Sequence, residues 1–393
     1  MLEQILILSR HSIRAPFPGN EITLSDITPH AWHVWSSAPG ELSLRGAELE
    51  EMMGQYFRNR LEEDGVSVDD AGVQDRALRF YASSFQRTQA SARCFAAGLT
   101  RGKPAVVEQH GTSGTENAVF VPLVASLDET EKRNILQEIA RKGGGDGLPF
   151  FRKQLEEPIR LLYEITDLRN TEGYRRGKTK SLLEKGNQIT LENGKRPSMT
   201  GAVRSATWIA DALIMQFYEE SDDRRAAFGH VLTEDAWRQI GRIPECTLKW
   251  LFADPLLAPN LARPMLREMI REWNTNGRFL TYLCGHDSTL TCVLAALEAE
   301  DYDLAETVEP AAPVAGKLVF ERRRDEKGEK TFSAYLVYPT VDQIRGRQVI
   351  SKEYPPVRIP IRFRGAVYDM NGNMPEKDFM QRLMKKADTH DET

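Results

Sequence analysis

The sequence predicts an α/β fold in which a sheet domain is interrupted by a mostly helical segment. Three short, mostly apolar runs, at residues 5–8, 79–82 and 279–284, are each followed by a polar turn and a helical pattern. Apolar runs of this length are typical of strands buried on both faces of a parallel sheet. The length of 393 residues allows one large domain with an insertion, or two domains.

Helical spacing follows the first two strands and dominates the middle of the chain. Further helices are expected near residue 85 and over residues 288–299, and the segments 128–142, 151–165 and 202–219 also show helical patterns. We therefore predict a discontinuous α/β domain over residues 1–108 and 242–393, and a mainly helical cap over residues 109–241. An early helix is also predicted, because six apolar residues would share one of its faces: Leu49, Met52, Met53, Tyr56, Phe57 and Leu61. Gly65 is predicted to end this helix.

Beyond Pro313 the pattern changes to that of strands. Residues 318–322 and 332–338 flank a turn at 325–328, which predicts a hairpin. Val357, Ile359, Ile361 and Phe363 alternate with polar residues and Pro360, and proline is tolerated best on an edge strand. An edge strand is therefore expected there.

The bulk composition is that of an ordinary globular protein. The net charge of -5 provides no general attraction to nucleic acid or anionic membranes, so neither is expected as a partner. No stretch reaches the ~20 apolar residues that span a bilayer, and the N-terminus lacks the features of a signal peptide. A cytoplasmic location is expected, or a periplasmic one if a leader has been removed. The cysteines, which fit no zinc pattern, are expected to be buried free thiols: Cys94, Cys246, Cys284 and Cys292.

The chemically informative residues follow the three predicted strands. Arg10 and Arg14 flank His11, and two guanidinium groups beside an imidazole suit phosphate binding and nucleophilic attack on phosphorus. Arg87 adds a third guanidinium after the second strand. His286 and Asp287 follow the third strand. His286 can donate a hydrogen bond to a phosphate, and Asp287 is a carboxylic acid that can protonate a leaving group.

Each of these motifs has a plainer interpretation when it is taken alone. The arginines could be surface residues, and His11 a hydrogen-bonded core histidine. The His286–Asp287 pair could bind a metal, although no further histidine or acidic cluster lies at ligand spacing. His30 and His33 flank Trp32 and are expected to pack in an aromatic cluster with Trp35, with substrate contact as the alternative.

Taken together, the motifs resemble those of the histidine acid phosphatases, the larger branch of the histidine phosphatase superfamily, which includes phytases and glucose-1-phosphatases. The family's RHGxRxP pattern corresponds to residues 10–16 with Ser12 in place of glycine, its Arg-Thr segment to Arg87-Thr88, and its HD pair to His286-Asp287. The likeness spans nearly the whole chain and is greatest to the bacterial glucose-1-phosphatases. It implies a three-layer, phosphoglycerate-mutase-like sheet domain with an inserted cap.

The resemblance also implies the role of each site residue. His11 would form a phosphohistidine, and Asp287 would protonate the leaving oxygen and then help to activate water. No metal or organic cofactor would be needed. The expected phosphate-binding residues are Arg10, Arg14, Arg87 and His286, and the expected residues of the substrate rim are Pro16, Lys195, Arg196 and Thr200.

Two departures from the family bear on substrate and compartment. The cysteines that form disulfides in secreted relatives are replaced here, which suggests a reducing compartment. The rim is basic at Lys195 and Arg196, where glucose-1-phosphatases tend to be acidic, which leaves room for more anionic substrates. We expect hydrolysis of small-molecule phosphomonoesters, such as sugar or inositol phosphates. The alternatives are a phosphomutase or phosphotransferase that uses the same phosphohistidine, and an inactive phosphate-binding protein.

Overall fold

The computed structural model describes residues 1–19, 22–68, 77–142 and 154–388. Its main sheet has the strand order β10-β8-β7-β1-β6-β2-β3, with β9 paired to β8 off this path. β4 and β5 form a separate two-stranded sheet. The strands are β1 (Leu2–Arg10), β2 (Leu78–Ala82), β3 (Val107–Glu108), β4 (Gln188–Thr190), β5 (Ser198–Thr200), β6 (Leu280–Gly285), β7 (Lys317–Arg324), β8 (Lys330–Tyr338), β9 (Val357–Pro360) and β10 (Met374–Pro375).

Strand direction divides the main sheet into two parts. β1, β6, β2 and β3 run parallel to one another, whereas β7 pairs antiparallel with β1 and with β8. β6 lies between β1 and β2 and is buried along its whole length, as expected for a central parallel strand. The predicted hairpin and the three predicted parallel strands are therefore confirmed.

The helices begin and end close to the predicted positions in several cases. The segment predicted at 202–219 has the same bounds in the structure, and the one predicted at 151–165 is helical over 156–165, with residues 151–153 outside the described residues. The helices are α1 (Leu24–Ile27), α2 (Leu44–Glu63), α3 (Gln86–Leu99), α4 (Glu129–Lys142), α5 (Glu156–Ile165), α6 (Glu172–Arg175), α7 (Lys178–Glu184), α8 (Ala202–Glu219), α9 (Asp223–Ala226), α10 (Glu234–Phe252), α11 (Ala258–Trp273), α12 (Asp287–Ala296), α13 (Val341–Ile344) and α14 (Glu376–Asp388).

Helices cover both faces of the main sheet, which gives three layers. Successive side chains of β6 point to opposite faces. Tyr282 stacks on Phe95 of α3 with ring centroids 4.0 Å apart, whereas the Thr281 hydroxyl donates to Glu272 of α11 at 2.9 Å. α2 packs with α3 on the first face, and α12 and α14 pack with α11 on the second. The predicted α/β sandwich is thus the observed architecture.

The segment predicted to form the cap contains α4 to α9, the β4–β5 hairpin and the start of α10. α10 continues through residue 241, where the cap was expected to end. Glycine is needed there because a Cβ on Gly241 would lie 1.7 Å from the Val308 carbonyl oxygen. The helix therefore touches the loop before β7 directly, and the division into two domains stays a prediction.

Two further expectations concern the edge of the sheet and the thiols. Among the described residues β9 pairs only with β8, with Pro360 opposite Tyr335, so the predicted edge strand is present, although it ends before Ile361 and Phe363. All four cysteines are free thiols, and Cys94 and Cys246 are only partly buried. Among the described residues, no helix is both long and apolar enough to cross a bilayer.

Candidate active site

The three parallel strands end side by side and bring the predicted site residues together. Arg10 at the end of β1 lies opposite Gly285 at the end of β6, and the His11 N–H donates to the Gly285 carbonyl at 3.1 Å. On the other side of β6, the Ser83 N–H donates to the Cys284 carbonyl at 2.9 Å. Ligands of open α/β sheets bind at this edge.

His11 has the tautomer that nucleophilic attack requires. Its Nδ1 lies 2.8 Å from the Ser12 carbonyl oxygen, which only accepts hydrogen bonds, so Nδ1 carries the proton and Nε2 keeps its lone pair. The ring is buried. Burial, followed by the nearby charges of Arg87 and other cationic groups, holds the pKa of His11 well below its ordinary value. The imidazole therefore stays neutral into the acid range.

His286 faces His11 across the site and has the opposite tautomer. The two ring centroids are 5.6 Å apart at an interplanar angle of 73°. Arg87 Nη2, which can only donate, lies 3.4 Å from His286 Nδ1, so the proton of the neutral ring is on Nε2, 3.4 Å from the Ser83 hydroxyl. Burial and Arg87 lower the pKa of His286 too. As the N-cap of α12, His286 also lies at a helix N-terminus, which favours anions.

Three buried guanidinium groups surround the two imidazoles. Arg10, Arg14 and Arg87 are 4%, 5% and 8% exposed, yet the Nε of each has no hydrogen-bond partner among the described residues. Burial, and then the charge of Arg14, lowers the pKa of Arg87 to about 9. Unpaired buried donors and excess positive charge are costly unless an anion is bound. We therefore identify this cluster as an anion cradle: Arg10, Arg14, Arg87, His11 and His286.

Asp287 lies at the open side of the anion cradle with 40% of its side chain exposed. Its Oδ1 accepts from the Ser288 N–H at 2.6 Å, and its Oδ2 lies 3.8 Å from Arg10 Nη2. Burial alone would raise the pKa of this carboxyl, but the charges of Arg10, Arg196 and Arg14 outweigh it and lower the pKa. Without a bound anion, Asp287 is a carboxylate.

The four predicted rim residues occupy different surroundings. Arg196 reaches the site, since its Nη2 donates to the Ser288 hydroxyl at 3.2 Å. Pro16 is buried beside the segment that carries Arg14. Lys195 is 69% exposed and pairs with Glu192. Thr200 is exposed at the end of β5, opposite Gln188. For Lys195 and Thr200, the described residues show no contact with the anion cradle.

Sequence reasoning missed the groups that hold the arginines in place. Asp211 accepts from Arg14 Nη2 with both oxygens at 2.9 Å, and Glu309 accepts from Arg10 Nη1 at 2.5 Å. The Phe17 ring lies under two guanidiniums, with its centroid 3.9 Å from Arg14 Cζ and 5.2 Å from Arg87 Cζ. No motif marks these residues. The only available signal was that buried arginines need acceptors or aromatic faces.

His30 and His33 are held by packing and ion pairs in the segment after α1. His30 stacks on Phe228 and lies 2.7 Å from Asp167, and His33 packs edge-on against Trp35 and lies 2.7 Å from Glu220. Packing is therefore the observed role. Within the described part of the chain, no group of three or more His, Cys, Asp or Glu residues could hold a metal ion.

Comparison with known proteins shows which family the chain resembles. Residues 1–141 match the histidine phosphatase superfamily (branch 2). The chain is 28% identical to a glucose-1-phosphatase of Providencia rettgeri, over 98% of this chain and 92% of that protein. It is 25% identical to phytase AppA of Escherichia coli, over 93% of this chain and 87% of that protein.

Among solved structures, the phytase from Citrobacter braakii superposes with a TM-score of 0.87 at 21% identity, covering 98% of this chain and 97% of the phytase chain. At that identity the superposition supports the fold and carries no information on substrate. The family match, the near full-length relatives and the shared fold agree with one another. Over residues 1–141, and through relatives that span nearly its whole length, the chain is similar to branch 2 of the histidine phosphatase superfamily.

Proposed function

We propose that this protein is a phosphomonoester hydrolase that works through a phosphohistidine on His11. The observation that carries the proposal is the lone pair of His11 Nε2 within a buried cradle of three arginines whose Nε donors have no partner among the described residues. The names of the relatives, glucose-1-phosphatase and phytase, support the same chemistry.

In the first half-reaction, the phosphoryl group binds to the anion cradle and His11 Nε2 attacks the phosphorus. The new N–P bond forms as the bond to the leaving oxygen breaks, and Asp287 gives its proton to that oxygen. The arginines balance the charge on the three equatorial oxygens, a task that Mg²⁺ performs in other phosphoryl-transfer sites, and the neutral His286 donates a hydrogen bond.

In the second half-reaction, water replaces the leaving group. Asp287, now a carboxylate, takes a proton from the water as its oxygen attacks the phosphorus, and the N–P bond breaks. His11 Nε2 regains its lone pair and Asp287 is protonated again; when inorganic phosphate leaves, the Asp287 carboxyl returns this proton to the solvent. Each residue returns to its starting state, so the cycle consumes only ester and water.

The proton on Asp287 depends on the substrate. Without an anion, Arg10 keeps the pKa of this carboxyl low. A bound phosphoryl dianion takes up the charge of the arginines and adds its own negative charge beside the carboxyl. Both effects favour the neutral carboxylic acid. Substrate binding therefore makes Asp287 take up a proton from the solvent, which creates the acid that the leaving group needs.

For the substrate, we propose a sugar phosphate such as glucose 1-phosphate, or an inositol phosphate. Arg196 at the rim favours substrates with anionic groups beyond the scissile phosphate, and Pro16, Lys195 and Thr200 remain proposed rim residues. The free state of all four cysteines supports a reducing, cytoplasmic location. In the part of the chain that the structure describes, no feature of the site favours the phosphomutase or the inactive protein.

The test compares two esters and three variants. His11→Ala should abolish phosphate release and the acid-labile phosphoenzyme. Asp287→Asn should slow an alkyl phosphate by about 10²-fold or more, but slow p-nitrophenyl phosphate far less, because nitrophenolate leaves without a proton. Asp303→Asn, at an exposed carboxylate whose ion pair is with Arg238, is the matched control and should behave as the wild type. Equal losses on both esters would remove Asp287 from the acid role, and an active His11→Ala would overturn the mechanism.

A further inference from the structure

Arg10 lies between two carboxylates that have different surroundings. Its Nη1 donates to Glu309 Oε1 and to the Ala312 carbonyl, both at 2.5 Å, and its Nη2 lies 3.8 Å from Asp287 Oδ2. Glu309 is 11% exposed, whereas Asp287 is 40% exposed. The two acids therefore share one guanidinium, with Glu309 in direct contact and Asp287 at longer range.

Glu309 is fixed at both ends. Its second carboxylate oxygen accepts from the Val314 N–H at 2.9 Å, and its own N–H donates to the Thr307 hydroxyl at 3.1 Å. The loop before β7 thus holds the carboxylate against Arg10 without involving the side of the guanidinium that faces Asp287. Sequence position gives no hint of this contact, since the two residues are 299 positions apart.

We propose that Glu309 is a positioning residue that neutralises Arg10 and so leaves Asp287 able to carry a proton beside a bound phosphoryl group. This inference rests on the proposed hydrolase function. A free Arg10 would pair with the nearest remaining carboxylate, which is Asp287, and would hold it ionised. Glu309 would therefore act through Arg10 and need not touch the substrate.

The other charged groups around the two acids leave Arg10 as the link between them. Arg14 is already held by both oxygens of Asp211, and Arg196 donates to the Ser288 hydroxyl. Among the described residues, the charged groups that act on Asp287 include Arg10, Arg14, Arg87 and Arg196, and those near Glu309 include Arg10 and Tyr218.

Removing the Glu309 charge has two effects of opposite sign. The anion cradle gains one net positive charge, so inorganic phosphate should bind more tightly. At the same time, Arg10 strengthens its hold on the Asp287 carboxylate, so protonation of the leaving group should become harder. A residue that only supported the fold would, when changed, weaken phosphate binding and turnover together.

The experiment measures both effects in Glu309→Gln. Inorganic phosphate should bind about threefold to tenfold more tightly by calorimetry. In the pH profile of kcat for an alkyl phosphate, the alkaline limb, where kcat falls as pH rises, should move to lower pH by about one unit. At pH values above this limb, kcat should be about tenfold lower than in the wild type. Turnover of p-nitrophenyl phosphate should stay within about twofold, because its leaving group needs no acid.

Two matched variants separate the roles. Asp211→Asn removes one negative charge beside Arg14, as Glu309→Gln does beside Arg10. It should therefore tighten phosphate binding but shift the alkaline limb less than Glu309→Gln does. Asp64→Asn, which loses an ion pair to Arg323 on the far part of the sheet, should change neither quantity. Glu309→Asp, which keeps the charge, should restore most of the wild-type pH profile.

The outcomes distinguish this inference from the function on which it rests. If the wild type releases phosphate from neither ester, both are overturned. If the wild type is active but Glu309→Gln binds phosphate more weakly, or loses activity equally on both esters, the inference alone falls. An unchanged alkaline limb in Glu309→Gln would also overturn it.

Discussion

Lys317 and Glu50 form an ion pair with no solvent exposure beneath the anion cradle. Lys317 Nζ lies 3.0 and 2.8 Å from the two oxygens of Glu50 and 2.9 Å from the Ala315 carbonyl, so all three ammonium donors have acceptors. Lys317→Met would leave the Glu50 carboxylate buried without its countercharge. Breaking one partner of such a pair costs about 3–5 kcal/mol. With an unfolding entropy of about 2.1 cal/mol/K per residue, the melting temperature should fall by about 4–6 °C.

The pH dependence of this loss gives a second check. Burial raises the pKa of Glu50 even in the wild type, against the opposing charge of Lys317. Without Lys317 the pKa should rise further. Between the Glu50 pKa of the unfolded state and the higher pKa of the folded state, the folded protein binds a proton that the unfolded chain has released. The free energy of unfolding therefore falls as pH rises through this range. The deficit of Lys317→Met should therefore shrink in acid.

Urea denaturation of the wild type, Lys317→Met and the double variant Glu50→Leu/Lys317→Met tests the reasoning. The double variant should recover most of the loss, because well-packed apolar replacements of buried pairs are often neutral or stabilising. If Lys317→Met were as stable as the wild type at neutral pH, the argument would be refuted. A double variant less stable than the single one would refute it too.

Three further predictions concern the site itself. Because the pKa of His11 is lowered by burial and by Arg87, its ring should titrate well below the ordinary histidine value in an NMR titration assigned with His11→Ala; a midpoint near 6.5 would contradict this. Phe17→Leu removes the aromatic face beneath Arg14, so phosphate affinity in calorimetry should fall about fivefold, with kcat on p-nitrophenyl phosphate little changed; unchanged affinity would exclude the contact. Phosphate release should persist in excess EDTA, and strong inhibition would return the His286–Asp287 pair to consideration as metal ligands.

The sequence predicted the residues at the strand ends because their signals are local. The apolar run before Arg10 shows where β1 ends, and a similar run places His286 at the end of β6. Parallel strands end at one edge of a sheet, so residues far apart in the chain could be expected at one site.

The groups that complete the site depend on tertiary packing and leave no local pattern. Asp211 lies on a helix whose bounds were predicted correctly, yet only the packing of α8 against the segment after β1 shows that it binds Arg14. Lys317 directly precedes the predicted strand at 318–322, and nothing in the sequence around it indicates that it is fully buried with Glu50. α10 and α11 were missed as separate elements, although both contain apolar faces, and each carries an internal proline that obscures the helical pattern, Pro244 and Pro264.

The place of β6 between β1 and β2 has a consequence for how the molecule is made. β2 leaves the ribosome about 200 residues before β6, the strand that must separate it from β1. A nascent chain that already carries His11 and all three arginines therefore lacks both His286 and the strand that aligns them. Pairings across such a long stretch of chain form slowly. The ability to bind phosphate should thus appear only after β6 and His286 have been synthesised, well after the segments that carry His11 and the three arginines.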